Sequence, residues 1–218
     1  MSLSQQIDVY CERTDFTFWS EPLNAISNIA FLIAAWFCYR LYISGPPYRD
    51  IYSLLLIIIL VLTGTGSFLF HTFATRWAGM ADIIPIAGMV LIYHLATMHK
   101  IARLPLSAAW GSIIIIPLLS VPLSAILPDA MGASQAYAPV FVLFAAYTYL
   151  HWRNESRELW LLPIAIVVFG MSLTMRMLDG LICDIFPYGV HYLWHILNSI
   201  TLYLAFRAYN LNCIIKKI

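Results

Sequence analysis

The sequence predicts an all-α integral-membrane fold, a bundle of seven transmembrane helices with the N-terminus outside and the C-terminus in the cytoplasm. Three observations carry this expectation. Of the 218 residues, 61% are hydrophobic and 11% charged, and the mean hydropathy is +0.80; a soluble domain carries about 25% charged residues. The apolar residues gather into seven runs, each long enough for a hydrocarbon core of about 30 Å. The cations fall mostly at one end of those runs, which sets the orientation.

Residues 1–22 form a short acidic segment carrying Asp8, Glu12, Arg13, Asp15 and Glu21. It lacks an apolar centre, so a cleavable signal peptide is not expected. The apolar runs follow at 23–43, 51–71, 82–99, 104–127, 135–152, 159–178 and 188–209, before a tail at 210–218. Between them lie SGPPYRD (44–50), TRWAGM (75–80), HKIARLP (99–105), LPDAMGAS (127–134), RNESRE (153–158) and DGLICDIFPYG (179–189). These breaks combine turn formers with charge. Pro105, Pro117 and Pro122 predict a kink in the fourth run. With no internal repeat or linker, residues 1–218 read as one domain. The net charge of +1 gives no general attraction to nucleic acid. The expected surroundings are a membrane and a lipid, and no protein partner is implied.

Arg40, Arg49, Lys100, Arg103, Arg153, Arg157, Arg207, Lys216 and Lys217 lie at or near one set of loops and the C-terminus, against Arg13, Arg76 and Arg176 towards the other side. The positive-inside rule makes the first set cytoplasmic. Asp8, Glu12, Asp15, Glu21, Asp129, Asp179 and Asp184 then lie outside. Cys38 and Cys213 fall near the inner face. Cys11 and Cys183 fall outside, where spacing alone leaves a disulfide and two free thiols equally open.

Orientation also collects a polar set at one depth. Ser67 and His71 share a face at the outer end of the second run; Asp82 opens the third; His191 and His195 share a face of the seventh, with Asn198 one turn deeper. Three neutral imidazoles with an open fourth position make a catalytic zinc site. Zinc lowers the pKa of its water towards about 7. Asp82 is placed to move that water's proton, and Ser67 to donate to a developing oxyanion. Taken singly, each residue has a plainer reading: a histidine bonding a neighbouring helix, Asp82 as an N-cap, or Ser67 bonding back to Thr63. Together, in a chain with few intramembrane ionisable groups, they favour a metal site. His94, His99 and His151 fall elsewhere. Arg176 and Asp179, spaced i, i+3, predict a structural ion pair, with a headgroup contact as the second reading.

The set Ser67-x-x-x-His71, Asp82 and His191-x-x-x-His195 on seven helices resembles the CREST superfamily of membrane hydrolases. The stretches YCER (10–13), EPLNAISNIAF (21–31), SFLFH and GVHYLWHILNSITLY narrow the resemblance to the alkaline ceramidase family, from residue 8 to about 205. That resemblance implies zinc held by His71, His191 and His195, proton transfer by Asp82 and assistance by Ser67. The reaction it implies cleaves the ceramide amide to a sphingoid base and a free fatty acid. It also implies a Cys11–Cys183 disulfide. Animal members of the family carry a calcium site, for which Glu12 and Glu21 match and Asp8 is a neighbouring candidate. Val9 and Thr14 stand where two of that site's ligands are expected, leaving few oxygen donors for calcium.

The expectation is therefore a zinc-dependent amidohydrolase acting on ceramide or a similar N-acyl lipid. A bacterial-type member would sit in the inner membrane with its site towards the periplasm. Two other readings stay open: a seven-helix receptor or sensor with structural zinc, and a lipid-remodelling ester hydrolase.

Overall fold

The computed structural model describes residues 2–44 and 50–213, without the side chains of residues 129 and 130. Arg49, Lys216, Lys217 and the Asp129 side chain, all used in the charge map above, lie outside the described residues. The chain is helical: α1 (Pro22–Ser27), α2 (Ile29–Ser44), α3 (Ile51–Phe73) and α4 (Arg76–Ala96), which runs on as a π turn over Thr97–Ile101. Then come α5 (Leu106–Gly111), α6 (Ile115–Ile126), α7 (Ala138–Arg153), α8 (Leu161–Leu178) and α9 (His191–Asn212), with 3-10 turns at Ser112–Ile114, Asp129–Tyr137 and Asp179–Leu181. No strand occurs among the described residues; Gln6 and Thr75 form an isolated antiparallel bridge.

Five stretches are long and apolar enough to cross a membrane: Pro22–Ser44, Ile51–Phe73, Arg76–Ile101, Leu106–Ile126 and Leu161–Leu181. Helix α7, with 16 residues, covers about 24 Å at 1.5 Å per residue. Helix α9 has the length, at 22 residues, but His191, His195, Asn198, Arg207, Asn210 and Asn212 interrupt its apolar sequence. The expected kink in the fourth run appears as the 3-10 turn at Ser112–Ile114. Pro117 explains its place, since the ring has no N–H for the carbonyl of Ile113 and would press on it in a continuous α-helix.

The third run starts earlier than the sequence suggests. Arg76 already opens α4, because Ala74 takes a left-handed conformation (φ 46°) and its N–H bonds the Phe70 carbonyl at 2.9 Å, closing α3 in a very short turn. Asp82 therefore sits well inside α4, and the N-cap reading of this residue falls away.

Helix α3 lies along α4 and α2, α8 lies along α9, and α2 also contacts α9. Their facing sides form a core that includes Phe31, Leu60, Tyr93, Phe144, Leu162 and Phe206. Large apolar side chains such as Ile58, Ile83, Leu118 and Val167 face outwards, as expected of a lipid-facing surface. One close approach matters for the site. A Cβ on Gly66 would run into the Ala81 carbonyl and lie 3.1 Å from the Asp82 nitrogen. Glycine thus lets α3 and α4 touch beside Ser67 and Asp82.

Candidate metal centre

Helices α3 and α9 bring His71, His191 and His195 together, all buried, with candidate ligand nitrogens within 4.8 Å of one another. Hydrogen bonds fix which nitrogens point inward. Glu21 Oε2 accepts from His71 Nδ1 at 2.6 Å, which leaves Nε2 with its lone pair. Ser27 gives its only hydroxyl proton to the Asn24 carbonyl at 2.9 Å, so it accepts from His195 Nδ1 at 2.7 Å. His195 Nε2 then also presents a lone pair, with Ser67 Oγ 3.5 Å away.

His71 Nε2 and His191 Nδ1 are buried without a hydrogen-bond partner. Leaving such atoms unpaired costs about 1–3 kcal/mol each, a cost that a cation at their meeting point removes. Three neutral imidazoles, two oriented by an oxygen behind them, suit zinc. The residues fit the ion.

Asp82 is half-buried on α4, where the close approach at Gly66 sets its backbone against α3 next to Ser67. It lies close enough to His71 and Arg176 to interact electrostatically with both. The expected residues Ser67, His71, Asp82, His191 and His195 thus assemble at one end of the bundle. Asn198 lines an apolar cavity beneath them with Thr63, Tyr137 and Phe169.

The N-terminal segment closes this end. Tyr10 stacks on His191 with ring centroids 3.7 Å apart and lies 5.2 Å from His71. The neighbouring Cys11 forms a disulfide with Cys183. Arg13 is buried; it donates to Glu21 Oε1 at 2.5 Å, to the Asp15 carbonyl at 2.9 Å and to the His71 carbonyl at 2.9 Å. Burial acts to raise the Glu21 pKa, but the bond from His71, with help from Asn24 and Arg13, holds it below the ordinary value.

This arrangement leaves the carboxylates expected for calcium otherwise engaged. Glu21 is shared by Arg13, His71 and Asn24. Glu12 accepts the Leu23 and Asn24 backbone amides at 2.7 and 2.8 Å, capping α1; its pKa is raised by burial, against the pull of those amides. Asp8 is exposed, and among the described residues it does not gather with Glu12 and Glu21 into a metal-sized group. A guanidinium stands beside Glu21, and the three acids do not fit a calcium site.

The expected Arg176–Asp179 ion pair does not form. Asp179 Oδ1 accepts the Val190 and His191 amides at 2.7 and 2.9 Å, and Oδ2 accepts the Cys11 amide at 3.1 Å. Bare amides at the start of α9 compete better for this buried carboxylate than a side chain on its own helix. Gly189 makes room: its φ is +61°, and a Cβ there would strike the Asp179 carboxylate.

Tyr10, Arg13 and Ser27 were missed as contributors to the site. Tyr10 and Arg13 lie inside the YCER stretch, which offered a signal; Ser27 offered none beyond its place in EPLNAISNIAF. Of the remaining histidines, His94 bonds Tyr147 at 2.8 Å and Ser112 at 2.9 Å, and His99 bonds the Leu104 carbonyl at 3.0 Å. Neither they nor His151 belongs to the cluster.

Compared with known families, residues 6–217 match the family model described as Ceramidase. No curated protein matches the chain.

Proposed function

This chain belongs to the ceramidase family, and we propose that it is a zinc-dependent membrane amidohydrolase that cleaves ceramide or a similar N-acyl lipid. The observation that carries the reading is the meeting of three buried imidazoles, two with a ring nitrogen left without a partner. His71, His191 and His195 hold the zinc. When bound, the ion supplies Lewis acidity towards water and the amide carbonyl.

The chain's own groups manage the protons. Asp82 accepts a proton from the attacking water as oxygen bonds to the amide carbon, then passes it to the nitrogen as the C–N bond breaks. The products are a fatty acid and an amine, a sphingoid base when the substrate is ceramide. Ser67 has one proton, and at rest its hydroxyl lies 3.5 Å from the His195 Nε2 lone pair. As the amide oxygen gains charge, that proton can turn to it. Tyr10 and the disulfide-tethered N-terminal segment cover the site from outside, and the apolar cavity below receives hydrocarbon.

The chain crosses the membrane seven times, α7 and α9 adding to the five apolar spans, with the site towards the outer face. Cation placement in the sequence supports that orientation. For a bacterial member the outer face is the periplasmic side of the inner membrane.

The test is to purify the protein, measure zinc by mass spectrometry and assay ceramides, N-acyl amines and phospholipid esters. His195→Ala is expected to lose metal and turnover together. A protein that arrives metal-free and cannot be loaded with zinc would sink the proposal; cleavage of esters alone would move it to the lipid-remodelling reading.

A further inference from the structure

Arg176 is the outer-side cation whose expected carboxylate partner turned away. It sits partly buried in the last turn of α8, donates from Nη1 to the buried Ser134 hydroxyl at 2.6 Å, and lies over the rings of Tyr137 (5.6 Å) and Trp194 (5.8 Å). Among the described residues no carboxylate pairs with it. Asp179 has spent both oxygens on backbone amides.

The guanidinium belongs to the environment of the site. It interacts electrostatically with Asp82, His191 and His195. Tyr137, which it covers, lines the cavity below the histidines. That cavity adjoins a second one through shared walls at Met89, Val140, Phe144 and Leu202, and the second reaches Phe206. Hydrocarbon in this space would leave its polar end near Tyr137 and Asn198, on the side that Arg176 covers.

A partly desolvated guanidinium with one neutral acceptor has donors to spare, in a planar fork that matches a carboxylate or phosphate. We infer that Arg176 is a specificity-determining residue that binds the anionic group of a lipid at the mouth of the metal centre. Two sources share that chemistry: an acidic group on the amine portion of an N-acyl lipid, and the carboxylate of the released fatty acid. This rests on the proposed hydrolase reading for the meaning of the site, but it is a statement about binding.

The test uses equilibrium binding of radiolabelled palmitate, N-palmitoylglycine and a neutral ceramide to purified full-length protein, with Arg176→Gln and Arg176→Lys beside wild type. No turnover is needed, so a failed hydrolase reading leaves the result interpretable. Loss of a charge-assisted bond predicts about 10- to 100-fold weaker binding of the anionic probes to R176Q, unchanged ceramide binding and partial recovery in R176K. Weakening of N-palmitoylglycine alone identifies the substrate's acidic group, and weakening of palmitate alone identifies the product. Equal weakening of all three probes, or no change in any, overturns the inference and leaves Arg176 as a brace for the 129–137 turn. A thermal melt of R176Q close to wild type excludes misfolding as the cause.

Discussion

Asp82 and Glu21 are both acids beside the metal centre, and the proposed function gives them different work. Asp82→Asn removes a proton acceptor while keeping shape, so it is expected to retain zinc and lose about 10²- to 10⁴-fold in turnover; full activity in this variant on every substrate would remove Asp82 from the mechanism. Glu21 acts from behind, orienting His71 through Nδ1. Glu21→Gln should weaken zinc binding about 10- to 100-fold, read by competition with a chelator, and calcium should not rescue it. The histidines were legible in the sequence because helical spacing and helix ends place them without any tertiary knowledge. The groups behind them were not. Ser27 reaches His195 because α1 packs against α3 and α9, and Tyr10 reaches His191 because the N-terminal segment folds back over this end, contacts that no local period records.

At the level of elements, the start of α9 depends on a carboxylate borrowed from the end of α8. Asp179→Ala leaves the Val190, His191 and Cys11 amides without their acceptor, and each such loss typically costs about 1–3 kcal/mol. The variant should melt at lower temperature and hold zinc less firmly, since His191 is the first residue of the helix. The sequence displayed Arg176 and Asp179 at a pairing distance, and that reading failed because helix ends create stronger claims on a buried acid. The opening of α4 was misplaced for a related reason: TRWAGM resembles a loop, yet one left-handed residue at Ala74 is turn enough. At the opposite end of the bundle, Glu158 accepts two bonds from Arg207, at 2.7 and 2.5 Å, and these hold its pKa below the ordinary 4.5. A lowered carboxylate pKa adds stability above pH 4.5 that fades as pH falls through the folded value. Both side chains are 29% exposed, so the pair is worth at most about 1 kcal/mol. The melting difference between wild type and Glu158→Gln should be small at pH 7 and shrink as pH falls below 4.5.

For the molecule as a whole, the Cys11–Cys183 bond joins positions 172 residues apart, tying the N-terminal segment to the loop before α9. Reduction should cost about 2–5 kcal/mol, seen as a lower melting temperature and as faster proteolysis within residues 2–21. Unchanged proteolysis would mean that Arg13, Tyr10 and Glu12 hold the segment unaided. The membrane character was plain from composition, and the helical class from the length of the apolar runs. The count of spans was less so, because α9 spends apolar positions on the polar residues that equip the site. The placing of ligands on α3 and α9 also has a consequence for biosynthesis. A ribosome delivers His71 long before His191 and His195, so on the proposed zinc reading the nascent chain waits for its last described helix before it can capture the ion. Until then His71 has Glu21, Tyr10 and Arg13 around it but no second imidazole, and on the proposed reading a chain released without α9 would lack two of its three metal ligands.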